Sequence, residues 1–248
     1  FEGGFTLEAA EAVLADDDED LFVDDLIDEL IDSSLLKSRL VSGSPRFSML
    51  KSVQDFAAAQ LAQYPQAREQ ALLAHAEHFA GFGQVDEGDL GIIENISNMG
   101  VRRLEIGNLM AAVRRVDEHG QGDFAVRALL GASPVLAEDG PMEVRVEVMR
   151  ALLKRTDLSA EARVDGLIAL AQAARYTSSV EALASAREAL AIFEAKLGPD
   201  HPYTAAAHNN IGNSLLEHGR LTSWDDPDKA QAKFEQAAEH YAKAVAIR

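Results

Sequence analysis

The sequence predicts a mainly α-helical chain, with one small β-hairpin near its start and a stacked array of helical hairpins at its end. Three observations lead there. The 248 residues are rich in Ala, Leu and Glu, hold few aromatics and contain one tryptophan, Trp224, a composition that favours helices. The phrase Ala189-Leu190-Ala191-Ile192 returns as Ala244-Val245-Ala246-Ile247, and recurrence at a period of several tens of residues marks stacked helical repeats. Near the start, Ser42-Gly43-Ser44-Pro45 is turn chemistry between two strand-like runs, Leu35 to Val41 and Arg46 to Leu50.

Composition also excludes several classes. The chain has no cysteine, so disulfides and thiolate metal sites are ruled out and a reducing, cytoplasmic setting is expected. No apolar run approaches the roughly 20 residues that span a bilayer, and no signal-peptide pattern opens the chain. It begins on Phe1 in a phrase that reads as mid-domain, so a fragment of a longer protein is expected. The formal net charge of -18 repels polyphosphate. Acid concentrates early, in Asp16-Asp17-Asp18-Glu19-Asp20 and in Asp24, Asp25, Asp28, Glu29 and Asp32. Such a run reads as a solvated loop and helix face. It lacks the alternating ligand spacing and turn glycine of an EF-hand calcium loop.

Taken in order, Thr6 is a good N-cap for a helix over Leu7 to Ala15. Leu21 to Ile31 repeats the helical pattern, with Leu21, Leu26, Ile27 and Leu30 on one face. The hairpin follows, with Phe47 and Met49 on one side, and then helices over Ser52 to Ala62 and Gln66 to Phe82, separated by Pro65. Two helices, a hairpin and a third helix make a winged-helix outline. Gly81 to Gly91 is rich in Gly and acid and is the best internal boundary. An indistinct stretch, Ile92 to Gly100, precedes an amphipathic helix over Arg102 to His119 that Gly120-Gln121-Gly122 stops. Asp123 to Leu136, Met142 to Leu153 and Ser159 to Arg175 read as further helices. Domains are expected over 1–64 (winged helix), 65–100 (helical linker) and 101–248 (repeats).

Several phrases come in a familiar order: Phe1 to Val13, Leu26 to Leu36, Arg46-Phe47-Ser48-Met49-Leu50, then Arg68 and His75-Ala76-Glu77-His78-Phe79. Together they resemble the winged-helix segment that follows the nucleotide-binding domain in bacterial signal-transduction ATPases of the STAND class, which is NB-ARC-like. Glu105 to Val113 resembles the phrase that opens the repeat-bearing region of those proteins. The resemblance implies a regulatory arm, in which the winged helix leads through a helical linker into tetratricopeptide-like repeats. ATP or ADP with Mg is then expected only on an absent upstream nucleotide-binding domain. No phosphate-binding G-x-x-x-x-G-K-[ST] loop occurs in this chain, so no cofactor and no NTP hydrolysis are expected of it. Where the family often has Met-His-Asp, this chain has Met49-Leu50-Lys51. Leu50 has no donor for a phosphate, Met49 reads as core, and Lys51 reads as a solvated lysine.

DNA recognition by the winged helix is argued against by the acids Asp24, Asp25, Asp28 and Glu29 on its candidate reading helix, which repel every phosphate. From Ser178 the repeat is clearer. Glu181 to Lys196 is the second helix of one unit and His201 to Glu217 the first of the next. Tyr203-Thr204-Ala205 through Gly212, Leu215 and Gly219 resembles the kinesin-light-chain type of tetratricopeptide repeat, with small residues for close packing and a terminal glycine for the turn. The repeat is about thirteen residues longer than the ~42 of that type. The surplus is expected between Leu221 and Phe234, as a longer loop and an N-terminal extension of the last helix, capped near Asp226-Pro227.

The candidate partner-binding residues are Asn209, Asn210, Asn213 and Tyr203, since amides on the polar face of such helices can hold a peptide backbone through paired donors and acceptors. His75 and His78, spaced i and i+3, could chelate a metal, but no third ligand is evident and packing histidines are the simpler reading. His201 before Pro202 reads as a turn and capping residue. No nucleophile sits in a G-x-S-x-G elbow, and no catalytic or metal site is expected. The expected function is a partner-sensing regulatory arm that binds protein or peptide at the repeat groove, with no membrane and no nucleic acid. A stand-alone tetratricopeptide adaptor and, further off, a DNA-binding regulator are the alternatives.

Overall fold

The computed structural model describes residues 1–14, 22–84, 98–115 and 121–247. The acidic run over 16–20 and most of the expected boundary over 81–91 lie outside them. The described residues divide into two units, one of Phe1–Gly83 with Asn98–Ala132, the other of Gln84 and the residues from Ser133 onward.

The first unit begins with α1 (Leu7–Leu14), capped by Thr6, whose Oγ1 accepts from the Ala9 N–H at 3.2 Å. Next comes α2 (Val23–Asp32), with Asp24, Asp25, Asp28 and Glu29 exposed and Ile27 buried. Strands β1 (Leu36–Val41) and β2 (Ser44–Met49) pair antiparallel, Leu36 opposite Met49 and Val41 opposite Ser44. The turn is only Ser42-Gly43, with φ of 52° and 86°, the left-handed pair of a two-residue hairpin loop. Pro45 was expected in the turn but lies in β2 opposite Leu40; with a two-residue loop the Val41–Ser44 pair is the hydrogen-bonded one, so the Leu40–Pro45 pair beyond it exchanges no ladder bond and the missing N–H costs none. Phe5 adds a short bridge, exchanging backbone bonds with Phe47 at 2.9 and 2.8 Å.

Helix α3 (Lys51–Leu61) follows the hairpin and buries none of its side chains. Helix α4 (Pro65–Ala80) ends in a 3-10 turn over Gly81–Gly83 and packs against α1 and α5 (Met99–Arg115). Its buried face carries Ala76, Phe79 and Ala80. A buried polar knot ties these pieces together. Arg46 of β2 ion-pairs with Glu105 of α5, each 3% exposed, and its Nη2 donates to the Leu104 carbonyl at 2.8 Å and the Gly4 carbonyl at 3.1 Å. The Asn108 amide donates to Glu105 at 2.7 Å and Gly4 at 2.8 Å, and accepts from the Glu2 N–H at 2.5 Å. The division between the units falls within α6 (Gly122–Glu138).

The second unit is a run of antiparallel neighbours: α7 (Met142–Leu152), α8 (Ala160–Ala174), α9 (Ser179–Leu197), α10 (Pro202–Thr222) and α11 (Pro227–Ile247). Each packs on the next, and α10 also touches α8, the nearest-neighbour pattern of a helical repeat. Polar caps set the starts. Ser159 accepts from Ala162 N–H at 3.1 Å, Ser178 from Glu181 N–H at 3.4 Å, and His201 Nδ1 from Tyr203 N–H at 3.2 Å. Asp226 caps α11 through the Lys229 N–H at 3.1 Å, with Pro227 in the first position, where a proline lacks nothing it would have bonded. The core joins Ala171, Leu183, Ala186, Ile211, Leu215 and Ala237.

Two expectations change here. The surplus residues form no long loop; α10 continues past Glu217 to Thr222 and only Ser223 to Asp226 intervene. Gly219 therefore ends no helix. A Cβ there would lie 2.5 Å from the Phe234 ring, and one at Gly212 would lie 2.6 Å from the Tyr241 ring. Both glycines are spaces into which α11 sets its aromatics, a close approach that any side chain would block.

Candidate partner-binding face of the repeats

Helix α10 positions every candidate residue, and its own packing decides which of them meet solvent. Residues four apart share a helix face and neighbours do not, so Asn209 and Asn213 stand together while Asn210 turns away. Asn209 and Asn213 are half-buried; Asn210 is only 4% exposed, and its amide nitrogen has no hydrogen-bond partner. Asn213 accepts through Oδ1 from the Tyr241 hydroxyl of α11 at 2.8 Å. That bond fixes the amide orientation and leaves its NH2 donors uncommitted among the described residues. Leu216 and Arg220 are exposed and extend the Asn209–Asn213 row by the same i+3, i+4 spacing. Tyr203 sits at the other end of α10, half-buried, its ring edge-on to Phe193 at 5.5 Å and to His201 at 4.8 Å.

Behind this row lies a contact with no signature in the sequence. His208 of α10 and His240 of α11 approach Nδ1 to Nδ1 at 2.9 Å. Burial is the first cause that lowers the proton affinity of both rings. Lys243 adds to it for His208, and His208, Lys243 and Arg187 add to it for His240. Glu194 and Glu239 oppose these shifts more weakly. The two histidines are thirty-two residues apart, and only the packing of α10 on α11 joins them.

The other singled-out residues have structural surroundings. His75 is 3% exposed, its ring tilted against those of Phe1 and Phe79, and neither ring nitrogen makes a hydrogen bond of normal geometry. Its pKa is pushed down to about 3, by burial first, then by the positive Phe1 amino group and Arg115, with the nearby Asn108 side chain pulling the other way. His78 packs edge-on against Phe79 and Phe82. Among the described residues no group of three or more His, Cys, Asp or Glu converges as a metal site. Lys51 is exposed and pairs with Asp55 at 2.9 Å. No helix of the described residues is long and apolar enough to cross a membrane.

The second unit is thus a tandem of α-helical hairpins with a polar row on the first helix of its last pair. Residues 166–223 match the tetratricopeptide repeat, a helical-hairpin module of protein–protein interaction. The matched span runs from within α8 through α9 to the end of α10. No curated protein and no solved structure matches the chain.

Proposed function

We propose that this chain is the partner-sensing arm of a STAND-type signalling ATPase, with the Asn209–Asn213–Leu216–Arg220 row of α10 as its contact face. The observation that carries the interaction reading is the tetratricopeptide match across α8 to α10, the helix on which that row lies. The finer assignment is supported by resemblance: a hairpin-bearing segment with the family's winged-helix phrases, followed by helices and then repeats. In this reading the amides hold a peptide or protein backbone while Leu216 supplies an apolar contact, at a cytoplasmic location. The partner must prefer one docked state of the arm over another, because a ligand of equal affinity for both shifts nothing. No catalysis is assigned to these residues, and nucleotide belongs to a nucleotide-binding domain.

Capture of a partner from the native cell extract by the immobilised chain, followed by N209R and L216E variants, tests the face. Both variants are expected to lose the partner while keeping the wild-type melting temperature. Retention by both sinks the assignment. The stand-alone adaptor is favoured instead if the captured partner leaves nucleotide exchange unchanged in a protein that carries the nucleotide-binding domain. Tight ATP binding by this chain alone also counts against the regulatory arm.

A further inference from the structure

Arg175 closes helix α8 at its C-terminal cap position and is half-buried. Among the described residues it makes no ion pair and no hydrogen bond, and its Nε is buried without a partner. Acids outnumber lysines and arginines in this chain by 41 to 23, so an arginine left without a carboxylate calls for a reason. The acids at the nearby helix ends are already taken. Glu181 is held by Arg150 through two bonds of 2.8 Å, Glu217 lies 3.8 Å from Arg220, and Asp226 pairs with Lys229 at 2.7 Å. The Arg175 guanidinium instead lies over the Tyr176 ring, 4.9 Å from its centre. A cation over a ring uses its flat side, whereas the N–H donors of a guanidinium lie around its edge.

Tertiary packing brings Asn213 to the same place. Ala171, one turn before Arg175 on the same face of α8, shares a core with Ile211 and Leu215 of α10, and Tyr241 of α11 packs against that core. Tyr241 in turn donates its hydroxyl hydrogen to Asn213 at 2.8 Å. Burial pushes the Tyr241 pKa up, and the positive charge of Arg175 pulls it the other way, so the cation stands near that hydroxyl. With its oxygen engaged by Tyr241, Asn213 keeps two N–H donors. Leu216 stands exposed one turn further along α10. The groove between α8 and α10 therefore offers a cation and an amide donor with an apolar side chain beside them.

We infer that this groove binds a carboxylate of a partner peptide, gripped between Arg175 and the Asn213 amide, with an apolar neighbour of that carboxylate resting on Leu216. The inference rests on the reading of α10 as the contact face and names the chemistry that face selects. A carboxylate takes parallel hydrogen bonds from the edge of a guanidinium. The overall charge of -18 repels acids from the rest of the surface, so this cation fixes where one is accepted and thereby sets the register of the peptide.

Fluorescence polarisation on the full chain tests it with three short labelled peptides. The first alternates leucine and glutamate and has an amidated end; the second has glutamine for glutamate; the third is the glutamine peptide with a free carboxyl end. A carboxylate-bearing peptide is expected to bind saturably, at least about tenfold tighter than the amidated glutamine peptide. The tighter of the two acids tells whether the carboxylate comes from a side chain or a chain end. R175Q is expected to abolish the preference, and R187Q, an equal change of charge at an exposed arginine of α9, to leave it intact. Melting temperatures check that the variants fold, and the comparison of peptides needs no variant. Equal binding of all three peptides, no saturation up to about 10 mM, or R175Q behaving as R187Q overturns the proposal. Where R175Q has no effect, L216A separates the two readings. Weaker binding by L216A then leaves the contact face standing without its carboxylate, and unchanged binding removes the face as well.

Discussion

The Nδ1 atoms of His208 and His240 lie 2.9 Å apart across the α10–α11 interface, so one imidazole donates and the other accepts. Such a bond needs at least one neutral ring, and the surroundings favour two. Burial comes first, and Lys243 disfavours a positive charge on either. The last hairpin is thereby tied to the protonation of a side-chain pair.

Stability of the second unit is expected to fall as pH drops below the ordinary histidine value of 6.5. The sign follows from linkage. Below 6.5 the unfolded histidines take up protons that the folded pair refuses, so the unfolded state binds more protons and stability rises with pH through this window. Each excess proton contributes a slope of up to about 1.4 kcal/mol per pH unit. Urea unfolding at pH 7.5 and 5.5 checks it, and H240Q, which keeps a hydrogen-bonding amide and removes a titrating ring, should flatten the difference.

His75 makes a second, separable prediction in the first unit. Its folded pKa of about 3 lies below the unfolded 6.5, so its contribution is complete above 6.5 and is lost progressively as pH falls towards 3. H75F is expected to remove this slope and to stabilise the chain by about 1 kcal/mol or more, since the ring nitrogens it deletes are buried without a hydrogen bond of normal geometry. Chemical denaturation of both proteins at neutral and acid pH reads both effects. A destabilised H75F with an unchanged slope contradicts the assignment.

Gly219 and Gly212 should each reject a methyl group. Alanine ordinarily favours a helix over glycine by about 1 kcal/mol, yet here its Cβ would meet the Phe234 or Tyr241 ring within 2.6 Å. G219A is expected to destabilise the second unit by about 1–3 kcal/mol, the usual range for overpacking. F234L should recover part of that loss when combined with G219A. A stabilised G219A would mean that α11 does not pack this closely.

The buried pair of Arg46 and Glu105 predicts strong non-additivity. Removing one partner by R46M or E105Q leaves an uncompensated or poorly paired group among the Gly4, Leu104 and Asn108 contacts. A loss of about 3–5 kcal/mol is expected for R46M. The double variant R46M/E105L should lose less than the sum of the single changes, as measured by denaturant midpoints.

Helix starts were legible where a capping side chain or a proline stands, as at Thr6, Ser159 and Asp226-Pro227, because the signal and its effect are a few residues apart. The hairpin was legible for the same reason. The end of α10 was not: Gly219 reads as a stop, yet its meaning is set by Phe234 on the neighbouring helix. Arg46 read as one strand residue among others, and Glu105 as part of a repeat-opening phrase; their ion pair had no local trace. Of the candidate site, the sequence placed the asparagines on one helix but not their exposure, which depends on what α9 and α11 cover.

The sequence by itself determined the helical class, the small hairpin, most helix limits and the tandem repeat, since each follows from local propensity, capping and periodicity. Only the tertiary structure decided that Asn209 and Asn213 reach solvent while Asn210 is buried, that His208 meets His240, and that Arg175 and Asn213 are brought to the same Tyr241. These relationships join residues distant along the chain, and which of them touch is settled by the packing of whole helices.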